Sequence, residues 1–164
     1  MTFTKVNVKP PKTYKTIVFA PSTGGGMFVI RHKASRKCLY PKGGRIANQV
    51  QLVFANKCGD RKAVFRWTRK RSLQSVAMKG YCIHPNGGSS KPRDGTTLVF
   101  YRACNQRRLA FRYQYRKRAL KHKTSSKCVQ SPTNQGRVAV GTAAVLKGCR
   151  GGVKMWMQFE FMGM

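Results

Sequence analysis

Apolar residues recur along this chain in short runs, each closed off by Gly, Pro, Ser or charged residues. Phe28-Val29-Ile30, Leu52-Val53-Phe54, Leu98-Val99-Phe100 and Ala144-Val145-Leu146 are β-prone stretches. Phe65-Arg66-Trp67 and Phe111-Arg112-Tyr113 instead alternate apolar with polar, the period of a strand with one buried face. No helix-length window carries a helical period. The pattern predicts an all-β fold of short strands.

An internal repeat organises these runs. The Cys residues Cys38, Cys82 and Cys128 recur about 45 residues apart, and each is followed about 20 residues on by a second, Cys58, Cys104 and Cys149. Behind the first Cys come Leu39-Tyr40-Pro41-Lys42-Gly43-Gly44, then Ile83-His84-Pro85-Asn86-Gly87-Gly88, then the looser Val129-Gln130-Ser131-Pro132. An aromatic stands seven residues after each second Cys: Phe65, Phe111 and Trp156. Three such units predict a β-trefoil, in which four-stranded units close around one axis and leave no long edge exposed. The repeats are expected at about 27–70, 71–116 and 117–161 of a trefoil domain spanning 27–164. Residues 1–26, punctuated by Pro10-Pro11 and Gly24-Gly25-Gly26, read as a basic N-terminal arm.

The repeat selects one disulfide pairing, Cys38–Cys58, Cys82–Cys104 and Cys128–Cys149. Each bridge closes a loop worth about 3 kcal/mol in the chain-entropy account and implies an oxidising compartment. Three pairs of reduced, buried thiols in an intracellular protein are the competing reading. The spacing fits no zinc site, so no metal and no cofactor are expected.

Composition changes the picture chiefly through charge. A hydrophobic fraction of 41% with 2 Trp, 6 Tyr and 9 Phe suffices for a core. Yet 34 Lys and Arg face 3 acidic residues, Asp60, Asp94 and Glu160, for a formal net charge of +31. Most cations therefore lack an internal partner, and the surface potential favours polyanions. Arg66, Arg69, Lys70 and Arg71 recur as Arg112, Arg116, Lys117 and Arg118, behind equivalent aromatics. Both sets are expected at one end of the trefoil as a polyanion-binding patch, with Arg suited to bidentate contact with sulfate, phosphate or carboxylate groups. The interleaved aromatics could stack bases. Strand alternation, rings inward and Arg outward, explains them more simply.

Catalysis is not expected. Three acids at unmatched places in the repeat offer no acid–base pair, and Gly24-Gly25-Gly26 lacks the G-K-[ST] of a phosphate-binding loop. No stretch reaches the ~20 apolar residues of a membrane-spanning helix. The first residues carry no apolar signal-peptide core, so a leader is expected to be already removed or never used.

His32-Lys33-Ala34-Ser35-Arg36-Lys37-Cys38-Leu39-Tyr40-Pro41-Lys42-Gly43-Gly44 and Tyr81-Cys82-Ile83-His84-Pro85-Asn86-Gly87-Gly88, with Asp94-Gly95-Thr96-Thr97-Leu98-Val99 behind, resemble the repeat of the mytilectins, the β-trefoil galactose-binding lectins of mussels. The likeness covers roughly residues 27–161, and the paired Cys bring the chain nearer to ricin-type trefoils. The resemblance implies a sugar site at an H-P-x-G-G turn, completed by a second motif of two His and an Asp. In the second repeat it implies His84, Gly87, Gly88, Tyr101 and Asn105 as sugar-binding residues, with Ala103 where a polar residue belongs. In the first repeat Tyr40 replaces the His and the partner positions are Ala55, Lys57 and Gly59; the third lacks the turn. His32 and His122, at matching places ahead of their Cys, read as structural. The expected function is a lectin-like, extracellular module for glycans, with a preference for sulfated or otherwise anionic ones. The alternative is an intracellular nucleic-acid-binding protein, or a structural protein of a large nucleic-acid-containing assembly.

Overall fold

The computed structural model describes residues 26–164, so the basic arm lies, but for Gly26, outside the described residues. Among the described residues twelve strands follow one another, joined by turns and loops that include five short 3-10 turns. The first four are β1 (Met27–His32), β2 (Cys38–Pro41), β3 (Leu52–Ala55) and β4 (Val64–Trp67). The next are β5 (Leu73–Ser75), β6 (Cys82–Pro85), β7 (Thr96–Tyr101) and β8 (Phe111–Gln114). The last are β9 (Ala119–His122), β10 (Cys128–Gln130), β11 (Val145–Lys147) and β12 (Phe159–Gly163).

Each four-strand unit pairs its strands in the same way. The second and third form a hairpin with matching register: Leu39 faces Phe54, Ile83 faces Phe100 and Val129 faces Leu146. The first strand of each unit lies against the fourth of the unit before, as β5 on β4, β9 on β8 and β1 on β12. That last pairing joins the two ends of the described chain and closes the barrel. The three hairpins meet one another across the cap through β7 with β11 and through the bridges Gln51–Val99 and Val53–Ala143. This is a β-trefoil.

Apolar burial follows the same threefold order. Ile30, Leu73 and Leu120 occupy one level of the barrel, and Phe65, Phe111 and Phe159 another, all essentially inaccessible to water. The third unit corrects the sequence pattern here. Its strand partner of His32 is Phe159, just as Phe65 faces Ser75 and Phe111 faces His122. Trp156 lies three residues earlier, in the 3-10 turn Met155–Met157. Extra residues around Gly151-Gly152 displace the motif, so counting from Cys149 lands on the wrong aromatic.

All three bridges join the partners that the repeat selects, with Cα separations of 5.3, 5.3 and 5.9 Å, and no Cys is free. No helix among the described residues is long and apolar enough to cross a membrane.

Candidate functional site

Strand β6 ends in His84-Pro85 and turns at Asn86-Gly87-Gly88. Gly87 (φ 82°) and Gly88 (φ 65°) adopt left-handed backbone, which a side chain would strain, and the Gly88 N–H donates to the Pro85 carbonyl at 2.8 Å. His84 lies beneath this turn, 5% exposed. Its Nε2 donates to the Ala103 carbonyl at 2.7 Å, which fixes the tautomer and leaves Nδ1 as an acceptor. Burial holds the imidazole below its usual pKa, with the Ala103 bond opposing and the Arg108 charge adding to the effect. Tyr101 presents its ring 5.5 Å from the His84 ring and is 41% exposed, a platform at the rim.

These groups line a cavity of about 310 Å³, at the small end of ligand-binding pockets. Of the five residues the sequence implies, His84, Gly87, Gly88 and Tyr101 come together there. Asn105 does not line it; its carbonyl accepts from Lys70 Nζ at 3.2 Å instead. Gln49, Gln106 and Arg108 complete the wall. Arg108 Nε donates to Gln106 Oε1 at 2.5 Å, and a Cβ added to Gly88 would stand 3.7 Å from Arg108 Cζ. The lining therefore carries a cation and no carboxylate.

Sequence reasoning missed these three, though one signal was present. Gln106 caps a 3-10 turn and Arg108 lies within it, as Asp60 and Lys62 do in the first unit, so the pair could have been found by alignment. Gln49 arrives from the first unit, its N–H donating to the Phe100 carbonyl at 2.8 Å, a contact no local motif announces.

The equivalent places in the other units are occupied by their own side chains. The Tyr40 hydroxyl donates to Asp60 Oδ2 at 2.8 Å, and Asp60 Oδ1 accepts the Lys62 N–H at 2.9 Å. The Lys62 N–H and the phenol hold Asp60 below the usual carboxylate range. In the third unit Gln130, fully buried, donates from Nε2 to the Lys147 carbonyl at 3.2 Å. His32 and His122 are fully buried and bonded through both ring nitrogens, to Ser35 and the Trp156 carbonyl and to Ser125 and the Arg108 carbonyl.

Of the eight basic residues singled out from the repeat, three line one concavity together. Arg69, Lys70 and Arg71, on the β4–β5 turn, line a concavity of about 720 Å³ with Arg107, Lys123, Ala110 and Thr124. Arg66 is on strand β4 and donates from Nε to Gln74 Oε1 at 2.7 Å. Arg112 is on β8, while Arg116, Lys117 and Arg118 follow in the β8–β9 turn. Arg118 reaches Glu160 Oε1 at 3.2 Å. The rings between these cations turn inward: Phe65 and Phe111 are buried, and Trp67 and Tyr113 pack on Phe161. Arg107 in the concavity and Arg108 in the His84 cavity are neighbours on one 3-10 turn, so the two hollows share a wall.

Residues 28–164 match the family described as MytiLec, α-D-galactose-binding lectin. No curated protein matches the sequence. Among solved structures, the designed threefold-symmetric protein ThreeFoil is similar at a TM-score of 0.70 and 14% identity, over 85% of this chain and all (100%) of its own. The C-half of an earthworm R-type lectin, in complex with GalNAc, is similar at 0.67 and 9%, over 85% and 100%. The Rhizoctonia solani agglutinin is similar at 0.67 and 14%, over 87% and 98%.

Proposed function

Because the chain belongs to the MytiLec family of α-D-galactose-binding lectins, we propose that it is an extracellular, non-catalytic lectin with one galactose-class site, at His84, and a preference for anionic glycans. One observation carries the reading. His84, the Gly87-Gly88 turn and Tyr101 converge on a single hollow, while the equivalent positions of the other units are filled by Tyr40 and Gln130. Sugar hydroxyls need donors and acceptors aimed at one point together with an apolar face. The Nδ1 acceptor of His84, the amide of Gln106 and the ring of Tyr101 supply them.

The anionic preference rests on charge. Arg108 stands in the sugar cavity, and Arg69, Lys70, Arg71, Arg107 and Lys123 line the hollow next to it. A glycan with galactose at His84 and a sulfate or carboxylate on the adjoining residue would meet both. Arg112, Arg116 and Lys117 extend the positive surface beyond this region. The three bridges fit the oxidising extracellular setting in which a lectin meets its ligands.

Retention on galactose, heparin and duplex DNA resins across a salt gradient tests the whole reading. Galactose retention should resist salt and yield to free galactose, while heparin retention should yield to salt. Replacing Arg69, Lys70 and Arg71 together by Gln should flatten the salt dependence on heparin. Failure to bind galactose would remove the sugar site. DNA retained more strongly than heparin, without galactose binding, would restore the nucleic-acid alternative.

A further inference from the structure

The seams between neighbouring units place three pairs of residues directly opposite one another: Arg31 with Glu160, Arg66 with Gln74, and Arg112 with Lys121. The registers make these pairs equivalent, each one step along from the buried Phe159, Phe65 or Phe111. In the first, Glu160 accepts from Arg31 at 2.6 Å and from Arg118 at 3.2 Å, with Arg36 at 3.6 Å. In the second, the Gln74 amide oxygen accepts from Arg66 at 2.7 Å. In the third, two cations face each other.

Like charges directly opposed across strands destabilise a sheet, and this pair has no relief among the described residues. Among the described residues neither side chain has a hydrogen-bond or ion-pair partner, and Lys117 adds a third charge. Burial, then the charges of Arg112 and Lys117, push the half-buried Lys121 ammonium below its usual pKa. The chain has three acids in all, and each is committed elsewhere: Asp60 to Tyr40 and Lys62, Asp94 to Lys127 and the Gly148 N–H, and Glu160 to its arginines. The arm outside the described residues contains no Asp or Glu. No acid of this sequence is left to neutralise the pair.

We propose that Arg112 and Lys121, with Lys117 beside them, bind one tetrahedral oxyanion, a sulfate or phosphate group, which supplies the negative charge that the Glu160 carboxylate supplies at the equivalent seam. The guanidinium offers a planar fork and the two ammonium groups offer point charges, a set matched to three oxygens of a sulfate or phosphate ester. For its natural ligand the site rests on the anionic-glycan reading above. It does not depend on galactose recognition at His84.

Two substitutions reproduce what the other seams already contain. Lys121→Gln recreates the Arg66–Gln74 pair, and Lys121→Glu gives an Arg–Glu pair like Arg31–Glu160 with the two strands exchanged, so both variants should fold. Thermal midpoints would be compared in sodium chloride, sulfate and phosphate at matched ionic strength. Sulfate stabilises proteins generally, so the informative quantity is the increment of the wild type over that of the variants. The wild type should gain about 3 °C more than Lys121→Glu when the anion exceeds its dissociation constant several-fold. Lys121→Gln should fall between them. In chloride at low salt, Lys121→Glu should be the most stable of the three. A sulfated disaccharide and a phosphorylated one, titrated separately, distinguish the two ester sources, and a loss of binding to either in Lys121→Glu supports the site. Equal sulfate and phosphate increments in wild type and Lys121→Glu would overturn the proposal. Galactose binding should be unchanged in Lys121→Glu, so its loss in wild type and variant alike would count against the lectin reading and not against this site.

Discussion

At the scale of single residues, the proposed sugar site turns on His84. Its Nε2–H is spent on the Ala103 carbonyl, so Nδ1 is what it can offer a hydroxyl. His84→Ala removes that acceptor and leaves the Gly87-Gly88 turn to the backbone. A lost hydrogen bond and an emptied cavity floor cost about 2 kcal/mol of binding, roughly a thirty-fold loss. Calorimetric titration with galactose would show it, and unchanged affinity would retire the site. The three histidines also make folding depend on pH. Burial lowers the native pKa of His32, His84 and His122 from 6.5, so the unfolded chain binds protons that the folded one refuses. Stability is therefore complete above about pH 6.5 and declines as pH falls from there toward the lowered native values. Urea midpoints at pH 7.5 and 5.5 should differ in that direction; equal midpoints would contradict the burial argument.

At the scale of elements, the seam between β1 and β12 is held by one carboxylate. Glu160 is 7% exposed and draws in Arg31, Arg36 and Arg118 from three separate segments. Glu160→Gln keeps the shape and removes the charge, leaving the mostly buried Arg31 without its counterion. The cost should be about 3 kcal/mol, the low end for a broken buried pair because Arg36 and Arg118 face solvent. Urea unfolding would register it, and a loss below about 0.5 kcal/mol would mean that the seam rests on packing alone. This seam also marks where sequence reading ran out. Glu160 occupies the place of Arg66 and Arg112, but counting from Cys149 hides the equivalence, because residues inserted after that Cys shift Phe159 out of phase. The hairpins behind Cys38, Cys82 and Cys128 were legible because their pattern is local: apolar run, turn and Cys at fixed offsets. The wall of the His84 cavity was only half legible. His84, the glycines and Tyr101 lie on one hairpin, whereas Gln49 comes from another unit and Arg108 from the 3-10 turn behind that hairpin.

At the scale of the whole molecule, threefold repetition sets up three turn positions and three seams, and the sequence then makes each different. Two of the turn positions are filled by Tyr40 and Gln130, and the one at His84 stays open. One seam holds a carboxylate, one an amide and one only cations. With +31 of formal charge and three acids, the open positions are where an external partner does the most. The central claim is that a galactose-class sugar occupies the cavity beneath the Gly87-Gly88 turn, and amide chemical shifts of isotopically labelled protein titrated with galactose test it most directly. Saturable shifts should cluster at His84, Gly87, Gly88, Tyr101 and Arg108, with the amides around Tyr40 and Gln130 unmoved. Shifts centred on the first or third unit, or none at millimolar galactose, would contradict it.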